Sequence, residues 1–136
     1  MLGLLAAIML PLALTTHYVR FDPKIASGAY LWILNNLFFV TFAEEALFRG
    51  FIQGGLSKLA ARSNYSRWLP LIVSSLTFGL AHYQGGLPYI GLATIAGLFY
   101  GYTYDRTKRL EGAMLVHFGL NLVHFLFFSY PSLKWA

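Results

Sequence analysis

The chain has 136 residues, of which 57% are hydrophobic, 18% aromatic and only 11% charged, and its mean hydropathy is +0.58. This is far too apolar for a soluble domain, and the length allows one domain, residues 1–136. The net charge of +5 is not a nucleic-acid signal, because the basic residues lie in short loops where membrane topology needs them; the lack of cysteine excludes disulfides and thiolate metal sites.

Residues 1–14 are apolar but too few for an ordinary crossing. Pro11 interrupts them and no basic residue precedes them as a secretory signal requires, so a half-helix or a truncated first helix is expected. Thr15 to Gly28 form a polar loop carrying Arg20, Asp22 and Lys24. A long helix is predicted from Tyr30 past Arg49 to Gly54 and Gly55, with an amphipathic tail through Lys58 and Arg62. Gly50 and Gly54 make a small-xxx-small pair that would admit another helix behind it.

No Asp, Glu, Lys or Arg occurs between Trp68 and Tyr104. Gly85-Gly86-Leu87-Pro88 divides that run into two short helices of roughly 15 to 17 residues, the second repeating the small-residue spacing at Gly97 and Gly101. Asp105 to Glu111 reads as a charged loop, followed by a last helix from Leu110 to Tyr130 that Pro131 stops. The expected fold is all-α, a polytopic transmembrane bundle of about four to five hydrophobic helices. Counting basic residues places the loops at 58–67 and 105–111 in the cytoplasm and the Gly85-Gly86 turn outside.

Three polar groups interrupt these apolar helices. In Phe42-Ala43-Glu44-Glu45-Ala46-Leu47-Phe48-Arg49, Glu45 and Arg49 are i,i+4 neighbours, which predicts an ion pair and leaves Glu44 available for chemistry. A lone pair of this kind would fix helix packing, whereas a doubled glutamate in an apolar helix points to function. Phe78 and His82 form the second group; His117 and Asn121 form the third, with His124 extending their face. Counted along the helices from the cytoplasmic loops, these groups lie at depths of roughly 10 to 21 Å, a band that one site could occupy. Costly groups at compatible depths on three helices mark a site more strongly than any one of them does.

The motifs Glu-Glu-x-x-x-Arg (Glu44, Glu45, Arg49), Phe-x-x-x-His (Phe78, His82) and His-x-x-x-Asn (His117, Asn121) resemble the signature of the CPBP family, which includes CAAX prenyl endopeptidases and bacteriocin-processing and immunity proteins. The resemblance runs from about Leu31 to Tyr130, and it leads one to expect that the family's usual extra N-terminal helices are missing or truncated. It implies a glutamate-dependent intramembrane peptidase of a bacterial inner membrane. Glu44 would be the general base, His82 would hold the same water, and His117 with Asn121 would donate to the oxyanion. Glu45 and Arg49 would orient the helix, and Phe78 would be packing. No cofactor is expected, with zinc on Glu44, His82 and His117 as the rival, weakened by the absence of an HExxH pair. Substrates would be lipidated or membrane-anchored proteins arriving through membrane lipid, cut near a prenylated C-terminus, an anchor or a leader. A non-enzymatic immunity or assembly protein and a proton-coupled carrier are the competing classes.

Overall fold

The computed structural model describes residues 1–25, 27–62, 66 and 68–129. Among these, five helices account for almost all of the regular structure, and no multi-residue strand is present. They are α1 (Leu2–Thr15), α2 (Ala29–Ala60), α3 (Leu69–Ala81), α4 (Leu87–Thr107) and α5 (Leu110–Phe127). The all-α expectation is met. Two of the five, α2 and α5, are long and apolar enough to cross a membrane.

The boundaries follow from local chemistry. Gly28 (φ 80°) precedes α2 and Gly86 (φ 83°) precedes α4, left-handed positions that glycine adopts at no steric cost. Pro70 and Pro88 sit in the first turns of α3 and α4, where the missing N–H is not needed. Pro11 lies inside α1 without ending it.

Three expected boundaries are corrected. The two helices of the uncharged run are unequal, 13 residues in α3 and 21 in α4. The charged loop shrinks to Lys108 and Arg109, because α4 continues through Asp105 and Arg106; charges in a solvated last turn are compatible with a helix, and Arg106 complements its dipole there. α5 stops at Phe127 instead of Tyr130, and the proposed stop at Pro131 lies outside the described residues.

The early end of α5 has a cause in the connection between α1 and α2. Asp22 N–H donates to Phe127 O and Lys24 N–H to Leu126 O, both at 2.8 Å, and Ser129 N–H donates to Arg20 O at 3.0 Å. Terminal carbonyls that a helix cannot satisfy itself are thus taken up by a paired strap bridging Phe21 and Phe128. Lys24 closes the strap, its Nζ reaching Phe128 O at 3.0 Å and Asp22 Oδ2 at 2.7 Å. That hydrogen bond holds the Asp22 carboxyl below its ordinary range, so the pair persists at neutral pH and is lost as the pH falls.

Helix α2 is polar inside and apolar outside. Thr41, Glu45, Arg49 and Gln53 are fully buried, whereas Phe39 and Phe51 are each 74% exposed and Phe38 and Phe42 at least half. Burial of the polar stripe with exposure of the phenylalanines is the arrangement that a hydrocarbon solvent favours and water does not.

The small-residue spacing works on one helix and fails on the other. A Cβ on Gly97 would stand 3.2 Å from Ser75 Cα and 3.3 Å from the Arg49 guanidinium, so its absence lets α4 close on α3 and α2. Gly50 faces nothing within 4 Å and is exposed, which overturns the expectation that Gly50 and Gly54 together admit a helix. The tightest crossing is at Gly79, where a Cβ would stand 2.8 Å from Ile90 O. Gly79→Ala is expected to destabilise the protein by roughly 1 to 3 kcal/mol, because α3 and α4 must separate, while Gly50→Ala changes stability by less than about 0.5 kcal/mol. Unfolding of both variants in detergent micelles measures the contrast.

Candidate active site

The site begins on α2, where the buried residues Thr41, Glu45, Arg49 and Gln53 recur every fourth position. In an ideal α-helix each such step overshoots a full turn by about 40°, so the stripe would drift off the core side. Two wider π-helical stretches, Asn36–Thr41 and Ala46–Gln53, flank the α-turn Phe42–Glu45 and take back that drift. The polar stripe therefore keeps facing α3, α4 and α5.

Glu45 and Arg49 pair as expected, Nε standing 3.1 Å from Oε2 at an angle too poor for a hydrogen bond, with both side chains at 0% exposure. Arg49 Nη2 donates to Gly97 O at 2.9 Å, and its guanidinium carbon lies 4.6 Å from the Phe78 ring centre and 5.4 Å from that of Tyr100. Gln53 Nε2 donates to Gly101 O at 3.0 Å, a second tie from the stripe to α4.

The other carboxyl oxygen of Glu45 has a different task. It accepts from His117 on α5, Nδ1 to Oε1 at 2.7 Å, while the Tyr100 ring stacks on the imidazole at 4.5 Å. A carboxylate can only accept, so His117 carries its proton on Nδ1 and turns Nε2 away from Glu45. His82 ends α3 and is fixed in the same sense, its Nδ1 donating to Phe78 O at 2.8 Å. Phe78, 2% exposed, packs between the two imidazoles with ring centres 4.7 Å from His82 and 5.7 Å from His117.

The two free nitrogens converge on Glu44. Its Oε2 lies 3.9 Å from His82 Nε2 and 3.7 Å from His117 Nε2, too far for direct hydrogen bonds. That oxygen is buried and has no hydrogen-bond partner among the described residues, although the side chain as a whole is 29% exposed. Asn121, one turn beyond His117, donates from Nδ2 to Asn36 Oδ1 at 3.2 Å. The structure thus brings Glu44, His82 and His117 together, holds Asn121 on the same face of α5, and sets Glu45, Arg49 and Phe78 around them. His124 is turned to another use, its Nε2 meeting Ser129 O at 3.1 Å.

A cavity of about 80 Å³ opens beside these groups, its wall including His82, His117 and Asn121 together with apolar residues such as Met9, Ala13 and Leu92. Glu44 is not among its wall residues and reaches it through the two imidazoles. Helix α1 thereby becomes part of the site, although its residues carry no chemistry of their own. Sequence reasoning also missed Asn36, Thr41 and Tyr100. The first two were visible as polar interruptions of an apolar run, and Tyr100 as an aromatic set between Gly97 and Gly101.

Comparisons with known proteins bear on what this constellation is for. A family model described as type II CAAX prenyl endopeptidase Rce1-like matches residues 26–123, which takes in all three motifs and leaves α1 and the end of α5 outside. No curated protein and no solved structure matches the chain. The matched family is a membrane-embedded protease family. The chain belongs to the type II CAAX prenyl endopeptidase Rce1-like family.

Proposed function

We propose that the protein is an intramembrane endopeptidase in which Glu44 activates a water held between its carboxylate and the imidazoles of His82 and His117. The observation that carries this reading is the meeting of three acceptors. Glu44 Oε2 stands 3.9 Å from His82 Nε2 and 3.7 Å from His117 Nε2, each of the three with a lone pair and none with a proton to offer the others. A gap of that size between polar atoms is spanned by one water, whose hydrogens satisfy two of the three.

Glu44 takes a proton from this water as its oxygen attacks the scissile carbonyl carbon. The developing oxyanion accepts from Asn121 Nδ2, and from His117 once Glu44 has passed the water's proton to Nε2. Glu45 makes that imidazolium favourable by accepting from Nδ1, the role a buried carboxylate plays for a catalytic histidine elsewhere. When the C–N bond breaks, the proton first taken by Glu44 goes to the leaving amine, and the products are a new carboxylate and a new N-terminus. The second carboxylate stays balanced by Arg49, so the site carries the negative charge of Glu44 alone before the reaction.

Zinc is the second reading, and one observation favours it: Glu45 on Nδ1 of His117 is the partner that a metal-bound imidazole commonly has. Glu44, His82 and His117 would be the ligands, and the ion would supply an acidified water. Among the described residues no three His, Cys, Asp or Glu side chains are placed to hold a metal ion, so water activation by Glu44 is put first. Protein exhaustively treated with chelator and shown by elemental analysis to hold less than one tenth equivalent of zinc is expected to keep its cleavage rate. Loss of activity that returns with zinc alone would overturn the metal-free mechanism.

The substrate we propose is a membrane-anchored or lipidated protein cut near its C-terminus, anchor or leader, entering from the bilayer. The exposed phenylalanines of α2 support a lipid-facing wall, and the remaining helices complete a polytopic bundle in the cytoplasmic membrane of a bacterium. Helices α1 and α3, 14 and 13 residues long, reach only about 20 Å, so the bilayer thins or they insert partway.

A further inference from the structure

We propose that Asn36 is a positioning residue that aims the amide of Asn121 at the reacting carbonyl; this rests on the oxyanion role assigned to Asn121 above. Asn36 is 4% exposed, and its Oδ1 accepts two hydrogen bonds, from Asn121 Nδ2 at 3.2 Å and from Thr41 Oγ1 at 3.3 Å. Thr41 is fully buried. Asn36 turns its amide oxygen toward α5, where it accepts from both donors. Asn36 in turn fixes the end of Asn121: one N–H is held, the plane of the amide is set, and the other N–H is left to donate.

The backbone explains why the pair can form. Asn36 and Thr41 are five residues apart, which on an α-helix would place them about 140° from each other around the axis. The π-helical stretch Asn36–Thr41 brings residues i and i+5 much closer around the axis, so the hydroxyl reaches the amide of its own helix. A π turn costs hydrogen-bond geometry, and stretches of this kind recur at functional sites. Here the stretch builds the support for an oxyanion donor carried by a different helix.

The test compares Asn36→Leu, which keeps the volume and removes the acceptor, with Thr41→Val, which keeps the shape and removes only the hydroxyl. Asn36→Leu is expected to lower kcat on the order of 10- to 100-fold with KM unchanged, the range seen when an outer partner of a catalytic ligand is lost. Thr41→Val, which leaves Asn36 in place, is expected to lower kcat several-fold. In an Asn121→Ala background neither substitution should cost anything further, because both act through that amide. Equal losses with and without Asn121 would mean a purely structural role and overturn the proposal, as would wild-type kcat in Asn36→Leu. A readout independent of cleavage uses ¹⁵N-asparagine-labelled protein, with the Asn121 side-chain signal identified by its disappearance in Asn121→Ala. Its amide protons should exchange slowly in wild type and quickly in Asn36→Leu. Fast exchange in the wild type overturns the proposal whatever the protease assay shows; slow exchange beside an inactive wild type would instead overturn the peptidase reading.

Discussion

Glu44→Gln is expected to lower peptide cleavage by roughly 10² to 10⁴-fold, the usual contribution of a positioned general base, while the protein still inserts and folds. The substitution keeps shape and replaces a proton acceptor with an amide. Glu44 tolerates it structurally because its side chain is 29% exposed and lacks a guanidinium partner, in contrast to Glu45 one residue on. Cleavage of a membrane-anchored substrate by purified wild type and variant, with unfolding followed in parallel in detergent, measures both halves. A variant that cleaves normally contradicts the assigned base. A wild type that protects cells from a toxin without cleaving anything, with a variant that protects equally well, would favour the immunity class.

The second large effect falls on the fold. Arg49→Met is expected to destabilise the protein by roughly 3 to 5 kcal/mol, because it leaves the carboxylate of Glu45 buried without its counter-charge. The loss also removes the Nη2 bond to Gly97 O and the guanidinium packed over Phe78, so α2 loses its grip on α4 and on the ring between the histidines. Arg49→Lys keeps the charge but not the planar fork, and should recover only part of the stability. In the double variant Glu45→Gln/Arg49→Met, most of the loss should disappear, since no charge is then left unpaired. Denaturation midpoints of the four proteins in micelles give the comparison. A fully stable Arg49→Met would show that Glu45 does not need its partner.

The grouping of polar side chains was legible in the sequence because ionisable and amide side chains in apolar helices are expensive, and expensive residues are conspicuous. Glu44, His82 and His117 come together from three helices, as their depths along the chain implied. The pairing of Glu45 with Arg49 followed from their spacing alone. What stayed hidden was the way the groups are oriented. The second contact of Glu45, to His117, depends on how α5 is rotated against α2, and no local pattern carries that angle. The π stretches have no side-chain signature; their effect shows only as polar residues that recur every four positions without drifting. The ends of α4 and α5 were misjudged for a related reason. Charges near Asp105 were read as a loop although they only mark where the helix meets water, and the end of α5 is set by partners more than 100 residues away in sequence. Gly50 and Gly97 share the same spacing motif, and only packing tells which of them touches a neighbour.

The most direct test of Glu44 as a base acting on water is cleavage in H₂¹⁸O, with mass analysis of the products and of the enzyme peptide that contains Glu44. Wild type is predicted to place one ¹⁸O in the new C-terminal carboxylate of the product and none in Glu44, with no cleavage above background by Glu44→Gln. Label accumulating in Glu44 over many turnovers would make that carboxylate the attacking nucleophile, and contradict the account.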